Sequence, residues 1–291
     1  MTIRSYLKYS IFRKRTWAYL IQAVYALLGG VFLTLIPLYC RFVGKEEKAY
    51  MTFFYLTATI VVALIFYLID GIYWRGFLRA SITLKNKTFD GTEVQIKFGD
   101  FFEHDGYHVV AVNEFFDSEV DDRHVAESSL HGQMIKKYWT SSQDWYDQVT
   151  KSVSHSKIET ISRIPPARCD RYPIATTGMV QSSGKKFICV ALSHTNLENL
   201  QAKAYFDDLL QALEATLERG RSVCANKPLN FPIIGGSLSR TGISRNMLLN
   251  ILLMKIFEES KKAHVTNKIR IILPYQDFSR YNLNTIKTEW S

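Results

Sequence analysis

Apolar positions follow two regimes along this chain. Residues 16–40 and 49–69 form two runs without a charged side chain, joined by a short polar loop, whereas beyond residue 80 the apolar runs are short or alternate with polar residues. A bilayer core of roughly 30 Å takes about 20 helical residues, so the two long runs predict transmembrane helices of about 16–40 and 49–70. Trp17, Tyr19 and Tyr39 sit near the ends of the first run, as an interfacial aromatic belt would. Two alternatives compete with this reading. A cleaved signal peptide has an apolar core of only about 7 to 15 residues and a small-residue cleavage site. A buried helical hairpin of a soluble protein is the other, although uncharged runs of this length are rare in soluble cores.

In the remainder, runs at 80–85, 93–98, 107–112, 186–193, 229–234 and 268–273 predict strands, several with the near-continuous apolar face of a sheet covered on both sides. Helices are expected over about 129–138, from an Asn196 cap to about Arg219 with Gly220 as its stop, and over about 243–262. The polar stretch 140–172, which contains Pro165-Pro166, reads as a helical or irregular insertion ending in a loop near the sheet edge. Strands alternating with helices predict an α/β sandwich with a mixed, largely parallel sheet. The expected organisation is a transmembrane hairpin over 1–79 and one cytosolic domain over 80–291. No fixed-period repeat or low-complexity tract is visible in the chain, which excludes solenoids.

Charge sharpens this division. The chain carries a net +9, but residues 1–88 hold 12 Lys and Arg against 3 Asp and Glu, and the rest holds 24 of each. The excess is therefore topological. Arg4, Lys8, Arg13, Lys14 and Arg15 precede the first run and Arg75, Arg79, Lys85 and Lys87 follow the second, which places both termini in the cytoplasm of a bacterial inner membrane, in contact with anionic lipid. No basic surplus remains for nucleic acid. Cys40, Cys169, Cys189 and Cys224 lack C-x-x-C spacing, which speaks against a disulfide framework or a zinc site.

Candidate chemistry lies in two places. The segment 231–243, Phe-Pro-Ile-Ile-Gly-Gly-Ser-Leu-Ser-Arg-Thr-Gly-Ile, is a strand, a Gly and Ser rich turn and a helix start, which suits a phosphate or diphosphate; an empty strand-to-helix turn is the alternative. It is neither a Walker loop nor a nucleophile elbow. Two strands end in Asp100 and Asn113, at the carboxyl side of the sheet where open α/β folds place ligands.

Together these segments resemble a macro domain: Gly99-Asp100-Phe101 matches its adenine corner, Val112-Asn113 the strand before its ribose loop, and 235–242 its second phosphate loop. The run from Val112 to Asp122, then Ser129-Leu130-His131-Gly132-Gln133 and Ala191-Leu192-Ser193-His194-Thr195-Asn196, resembles the two-span macro-domain effectors of type II Thoeris antiphage defence. This resemblance covers essentially the whole chain. It implies a macro-like three-layer αβα domain that binds an ADP-ribose derivative, of the histidine-ADP-ribose type, released by a TIR-domain enzyme. Ligand binding then leads to homo-oligomers, membrane disruption and abortive infection. Position by position, Asp100 and the Phe101 backbone would hold adenine, and Asn113 and Glu114 would lie near the distal ribose. The Leu130-His131-Gly132 turn and the loop of Gly235, Gly236, Ser237, Leu238, Ser239, Arg240 and Thr241 would hold the diphosphate.

Hydrolytic macro domains carry a glycine-rich stretch after the paired asparagines, whereas residues 114–127 here are bulky, acidic and glycine-free. The expectation is a ligand sensor without catalysis, cofactor or metal. A membrane-tethered hydrolase of ADP-ribose derivatives and a purely structural anchor are the competing classes. His104 and His108 lack the helical setting a metal pair needs. Asp117, Glu119, Asp121 and Asp122 read either as a solvated acidic loop or as a site for a cation or a ligand amine.

Overall fold

The computed structural model describes residues 91–236, 240–278 and 280–290, together with 22, 57, 60–62, 64–74, 76 and 78–84. The chain divides into two compact units, one of Met1–Ile82 with Tyr275–Trp290, the other of Thr83–Pro274.

The larger unit is built on a sheet of strands β1 (Ser81–Leu84, of which Thr83 and Leu84 belong to this unit), β2 (Glu93–Phe98), β3 (Tyr107–Asn113), β6 (Thr177–Ser182), β7 (Lys185–Thr195), β8 (Ala202–Lys203), β9 (Leu229–Phe231) and β10 (Lys268–Leu273). Its order is β1-β2-β10-β9-β3-β7-β6, with β8 paired to β7. The pairs from β2 to β7 are parallel, and β6 and β8 run antiparallel to β7. A separate two-stranded ribbon pairs β4 (Glu159–Thr160) with β5 (Asp170–Arg171).

Four helices serve this sheet: α1 (Leu130–Tyr138), α2 (Ser142–Val153), α3 (Phe206–Val223) and α4 (Arg245–Lys262). One face of β3, β6 and β7 supplies Val110, Val112, Val180, Phe187 and Cys189 to a core closed by Met134, Ile135, Trp145 and Val149 from α1 and α2. On the opposite face Val109, Ile188, Val190, Leu229 and Ile271 are buried, as are Leu209, Leu213 and Leu217 of α3 and Leu249, Leu252 and Ile256 of α4. The result is the expected three-layer arrangement with a mixed sheet. Coverage is uneven, however. β7 is buried along most of its length, while β2 alternates between buried Val94, Ile96 and Phe98 and half-exposed Glu93, Gln95 and Lys97. The near-continuous apolar strands belong to the middle of the sheet, where both faces are packed.

Caps decide where the helices begin. Ser129 Oγ accepts from Gly132 N at 2.9 Å and starts α1 at the expected place. Asn196 does not start α3. Its side-chain oxygen accepts from Glu198 N at 2.8 Å and Asn199 N at 3.2 Å, an Asx turn closed by Leu200 at φ +58°, after which β8 pairs with the end of β7. The helix begins ten residues later, where Asp208 accepts from Tyr205 N at 2.7 Å in a capping box. The stretch 140–172 holds α2, the helical one of its two sequence-based expectations, followed by the ribbon, whose two strands flank the cis Pro165-Pro166 bond.

In the smaller unit, residues 64–69 are helical and run into a π-helical turn, Asp70–Trp74. Helix α5 (Leu283–Trp290) buries Leu283 and Ile286, and its Asn284 donates to Tyr73 O at 3.4 Å. The expected spans of about 16–40 and 49–70 fall mostly outside the described residues. Among the described residues no helix is long and apolar enough to cross a membrane.

Candidate functional site

A cavity of about 860 Å³ opens at the carboxyl ends of β3 and β7. Its floor is Ala111, Val112, Asn113, Leu192 and Ser193; its walls come from 121–126, the start of α1, 162–167 and 197–202, with Arg240 reaching in from the glycine loop. Strand ends of a parallel sheet gather loops there, and helix N-termini point their free N–H groups at the same place.

The loop after β3 is organised by one buried carboxylate. Asp117, 1% exposed, accepts from both terminal nitrogens of Arg163 at 2.9 Å, from Arg168 N at 2.9 Å and from Asn113 Nδ2 at 2.9 Å. The Arg163 guanidinium lies 4.1 Å from the ring centre of Phe115 and donates to Arg168 O at 2.6 Å. Arg168 in turn holds Ser118 Oγ at 2.6 Å and stacks over Tyr146 at 3.9 Å. Buried Glu114 accepts from Arg171 Nε at 2.9 Å and Thr195 N at 3.1 Å, and its Oε2 lies 3.1 Å from His194 Nδ1. Three arginines, 163 and 168 within the strap 162–168 and 171 just after it, thus fasten the strap at the cavity.

The rest of the acidic stretch is also committed. Asp121 Oδ1 accepts from Arg123 N and His124 N, Asp122 Oδ1 from Glu127 N, and Glu119 from Ser142 Oγ. Asp121 and Asp122 stay exposed while their Oδ1 atoms hold backbone N–H groups, so the stretch is a solvated loop with internal ties. It forms a tied platform that presents Arg123 to the cavity. Among the described residues no carboxylate meets the Arg123 side chain, and Arg240 Nη1 is held by the neutral amide of Gln201 at 2.6 Å. Two guanidinium groups that no carboxylate pairs give the cavity anion-binding groups, alongside the carboxylates of Asp121, Asp122 and Glu198 in the same lining.

Of the residues named from sequence, Asn113, His131 and Arg240 come together in this cavity. Leu130 packs its side chain into the core, and Gly132 approaches the backbone of Ala126, where an added Cβ would stand 2.4 Å from the carbonyl oxygen. Gly235, at φ +83°, Gly236 and Thr241 shape the loop without lining the cavity; Thr241 Oγ1 donates to Gly235 O at 2.6 Å. Ser237, Leu238 and Ser239 lie outside the described residues. Glu114 is occupied by its ion pairs. Asp100 caps its own turn, accepting from Phe102 N at 2.8 Å, while Phe101 is buried against Phe102 and the ring of His108. Neither Asp100 nor Phe101 lines the cavity, since β10 and β9 separate β2 from β3. Arg123, the strap and residues 197–202 escaped the sequence reading; the arginine triplet facing an acidic loop was the one available sign.

Two buried imidazoles give the unit a predictable acid sensitivity. Burial pushes both His108 and His131 down to about 4. The unfolded chain takes up these protons near 6.5 and the folded chain only near 4, so stability present above 6.5 is lost as pH falls between the two values. Each group is expected to cost on the order of 1 to 2 kcal/mol by pH 5. Thermal melting at pH 7 and pH 5 checks this, and an unchanged midpoint would refute it.

A family model described as Thoeris protein ThsA, Macro domain, matches residues 94–274. The Thoeris protein ThsA of Bacillus amyloliquefaciens (strain Y2) is 30% identical over 207 residues, covering 68% of this chain and 68% of that protein. Among solved structures, the Oceanobacillus iheyensis macrodomain with ADP covers 72% of this chain and 98% of its own at 12% identity and a TM-score of 0.49. The same macrodomain with MES bound covers 72% and 98% at 12% identity and a TM-score of 0.48. On the family match and the shared length with its Bacillus relative, this chain belongs to the Thoeris ThsA family and carries the ThsA macro domain.

Proposed function

We propose that this protein is the membrane effector of an antiphage system. Its macro domain binds an ADP-ribose-derived signal of the histidine-ADP-ribose type made by a TIR-domain enzyme. Binding then drives oligomers that disrupt the bacterial inner membrane and end in abortive infection. The observation that carries this reading is the cavity with two arginines that no carboxylate pairs, Arg123 and Arg240, beside the first turn of α1. A diphosphate flanked by sugars fits such a site: anionic in the middle, hydrogen-bonding on either side. Asn113, His131 and Arg240 are its contacts within the cavity, and the adenine role of Asp100 and the Phe101 backbone rests on the resemblance. Family membership supports the Thoeris role.

Binding without turnover is supported by the commitment of the nearby carboxylates. Glu114, Asp117 and Asp121 are each already satisfied by protein donors, so none of these three is a ready base for water, and a hydrolase would have to use Asp122 or Glu198 of the lining. Membrane attachment is supported by Ile60, Val61, Leu64, Ile65, Phe66, Leu68 and Ile69, which all stand exposed on the helical residues 60–62 and 64–69. A two-span protomer cannot enclose a pore alone, so action through several copies follows from the hairpin.

The test is titration of the detergent-solubilised full chain with ADP-ribose. At a concentration about 100-fold above the dissociation constant the native state gains about 2.7 kcal/mol, a rise of several degrees in melting temperature. The ligand is expected back intact after prolonged incubation, and particle size is expected to grow. Steady product formation would favour the hydrolase instead, and an unchanged size distribution would sink the oligomer mechanism. Extraction of cell membranes at alkaline pH should leave the chain in the pellet, and recovery in the supernatant would sink the anchor.

A further inference from the structure

Polar groups buried in a folded protein nearly always find a hydrogen-bond partner, so one that lacks it calls for an explanation. His131 is such a group. It is the second residue of α1, 6% exposed, lines the cavity, and packs at a tilt against Trp145 with ring centres 4.8 Å apart. Its Nε2 is sealed and unpartnered, and among the described residues nothing hydrogen-bonds its Nδ1. Packing alone does not account for it, because a phenylalanine would fill the same space against Trp145 without sealing Nε2 away from a partner. His108 is also buried without partners, but it sits inside β3 between Phe101 and Phe187, away from the cavity. What sets His131 apart is that a guest can reach it.

We infer that the side chain of His131 reads a sugar hydroxyl of the bound nucleotide, beside the diphosphate held at the start of α1. This deepens the nucleotide reading above and rests on it. Burial keeps the ring neutral, with Asp117, already committed to Arg163, as the charge that acts on it. With Nε2 sealed, Nδ1 is the atom that can meet a guest; it donates or accepts according to the tautomer, and a hydroxyl can give or take a hydrogen bond, so the two match in either tautomer. A phosphate oxygen only accepts and would favour the imidazolium that burial disfavours. The free N–H groups of Leu130 and His131 in the first helical turn supply the phosphate contact, leaving the ring to the neutral neighbour. His131 is thus a specificity-determining residue, separate from the arginines that supply affinity through charge.

The experiment uses the full chain in detergent with ADP-ribose as the probe. His131→Phe is expected to bind ADP-ribose about tenfold more weakly than the unaltered chain, the range a lost neutral hydrogen bond produces, with an unchanged or higher ligand-free melting temperature. His131→Asn, whose amide can stand where Nδ1 was, should recover binding to within about threefold. His131→Met, flexible enough to repack if the phenylalanine misfits, should show the same loss as His131→Phe. The affinity ratio between the unaltered chain and His131→Phe should stay flat from pH 8 to pH 5.5. A ratio that grows as pH falls would mean an imidazolium on phosphate and overturn the hydroxyl assignment. Unaltered binding in both apolar variants would overturn the role of His131 while leaving the nucleotide reading intact. An unaltered chain that ignores ADP-ribose would overturn that reading first.

Discussion

Replacing Asp117 with alanine is expected to destabilise the larger unit by about 3 to 5 kcal/mol, the cost of removing one partner from a buried ion pair. Asp117 is 1% exposed and the Arg163 side chain 4%, so water cannot take the carboxylate's place. The loss would strand a guanidinium, free Arg168 N and unlock Asn113 Nδ2 at once. The double variant Asp117→Ala with Arg163→Met should recover a good part of the loss, because an apolar replacement of both partners removes the uncompensated charge. Urea unfolding of the single and double variants measures this, and protease sensitivity within 162–168 reports release of the strap. A loss below about 1 kcal/mol would show that the pair is far more hydrated than its burial implies.

Nucleotide binding should disappear in Gly132→Val. The residue lies in the first turn of α1, where a Cβ would stand 2.4 Å from Ala126 O and 3.1 Å from Glu127 Cα. Both neighbours are backbone and cannot step aside as a side chain could, so either α1 shifts or the platform 119–127 is pushed away. That platform carries Arg123 and is tied by Asp122 to Glu127 N, so the displacement reaches the cavity. We expect a destabilisation of about 1 to 3 kcal/mol from overpacking and a loss of ADP-ribose affinity of about 100-fold or more. Calorimetric titration of the full chain decides it. Retained affinity within about threefold would mean that the platform moves without disturbing the ligand site.

Much of the larger unit was legible because its signals are local. β2 and β10 fall at the expected residues, and α1 begins where Ser129 can cap it. Alternation, helical stripes and caps involve neighbours within a few residues, and those relations survive any tertiary arrangement. Errors arose where a local signal had two outcomes. Asn196 can cap a helix or close an Asx turn, and pairing of Ala202–Lys203 with β7 decided for the turn. β6, a Gly and Ser containing segment of weak β pattern, forms because the edge of β7 offers unpaired groups along its length. The candidate site was legible only in part. Asn113, His131 and Arg240 were found from family-like motifs, whereas the strap was missed because its contacts join residues 46 to 57 positions apart.

By itself the sequence determined the layered α/β class, the confinement of net positive charge to residues 1–88, the two uncharged runs and the glycine turn before α4. These follow from composition and short-range periodicity. Tertiary structure alone decided which charges are free. Aspartates 117, 121 and 122 and arginines 123, 163 and 168 are alike as letters in a polar stretch. Folding sinks Asp117 against Arg163, turns Asp121 and Asp122 onto backbone N–H groups, and leaves Arg123 facing a cavity with Arg240 and an unpartnered His131. A charge's role depends on what desolvates and pairs it, and those partners are brought together only by the chain's path through space.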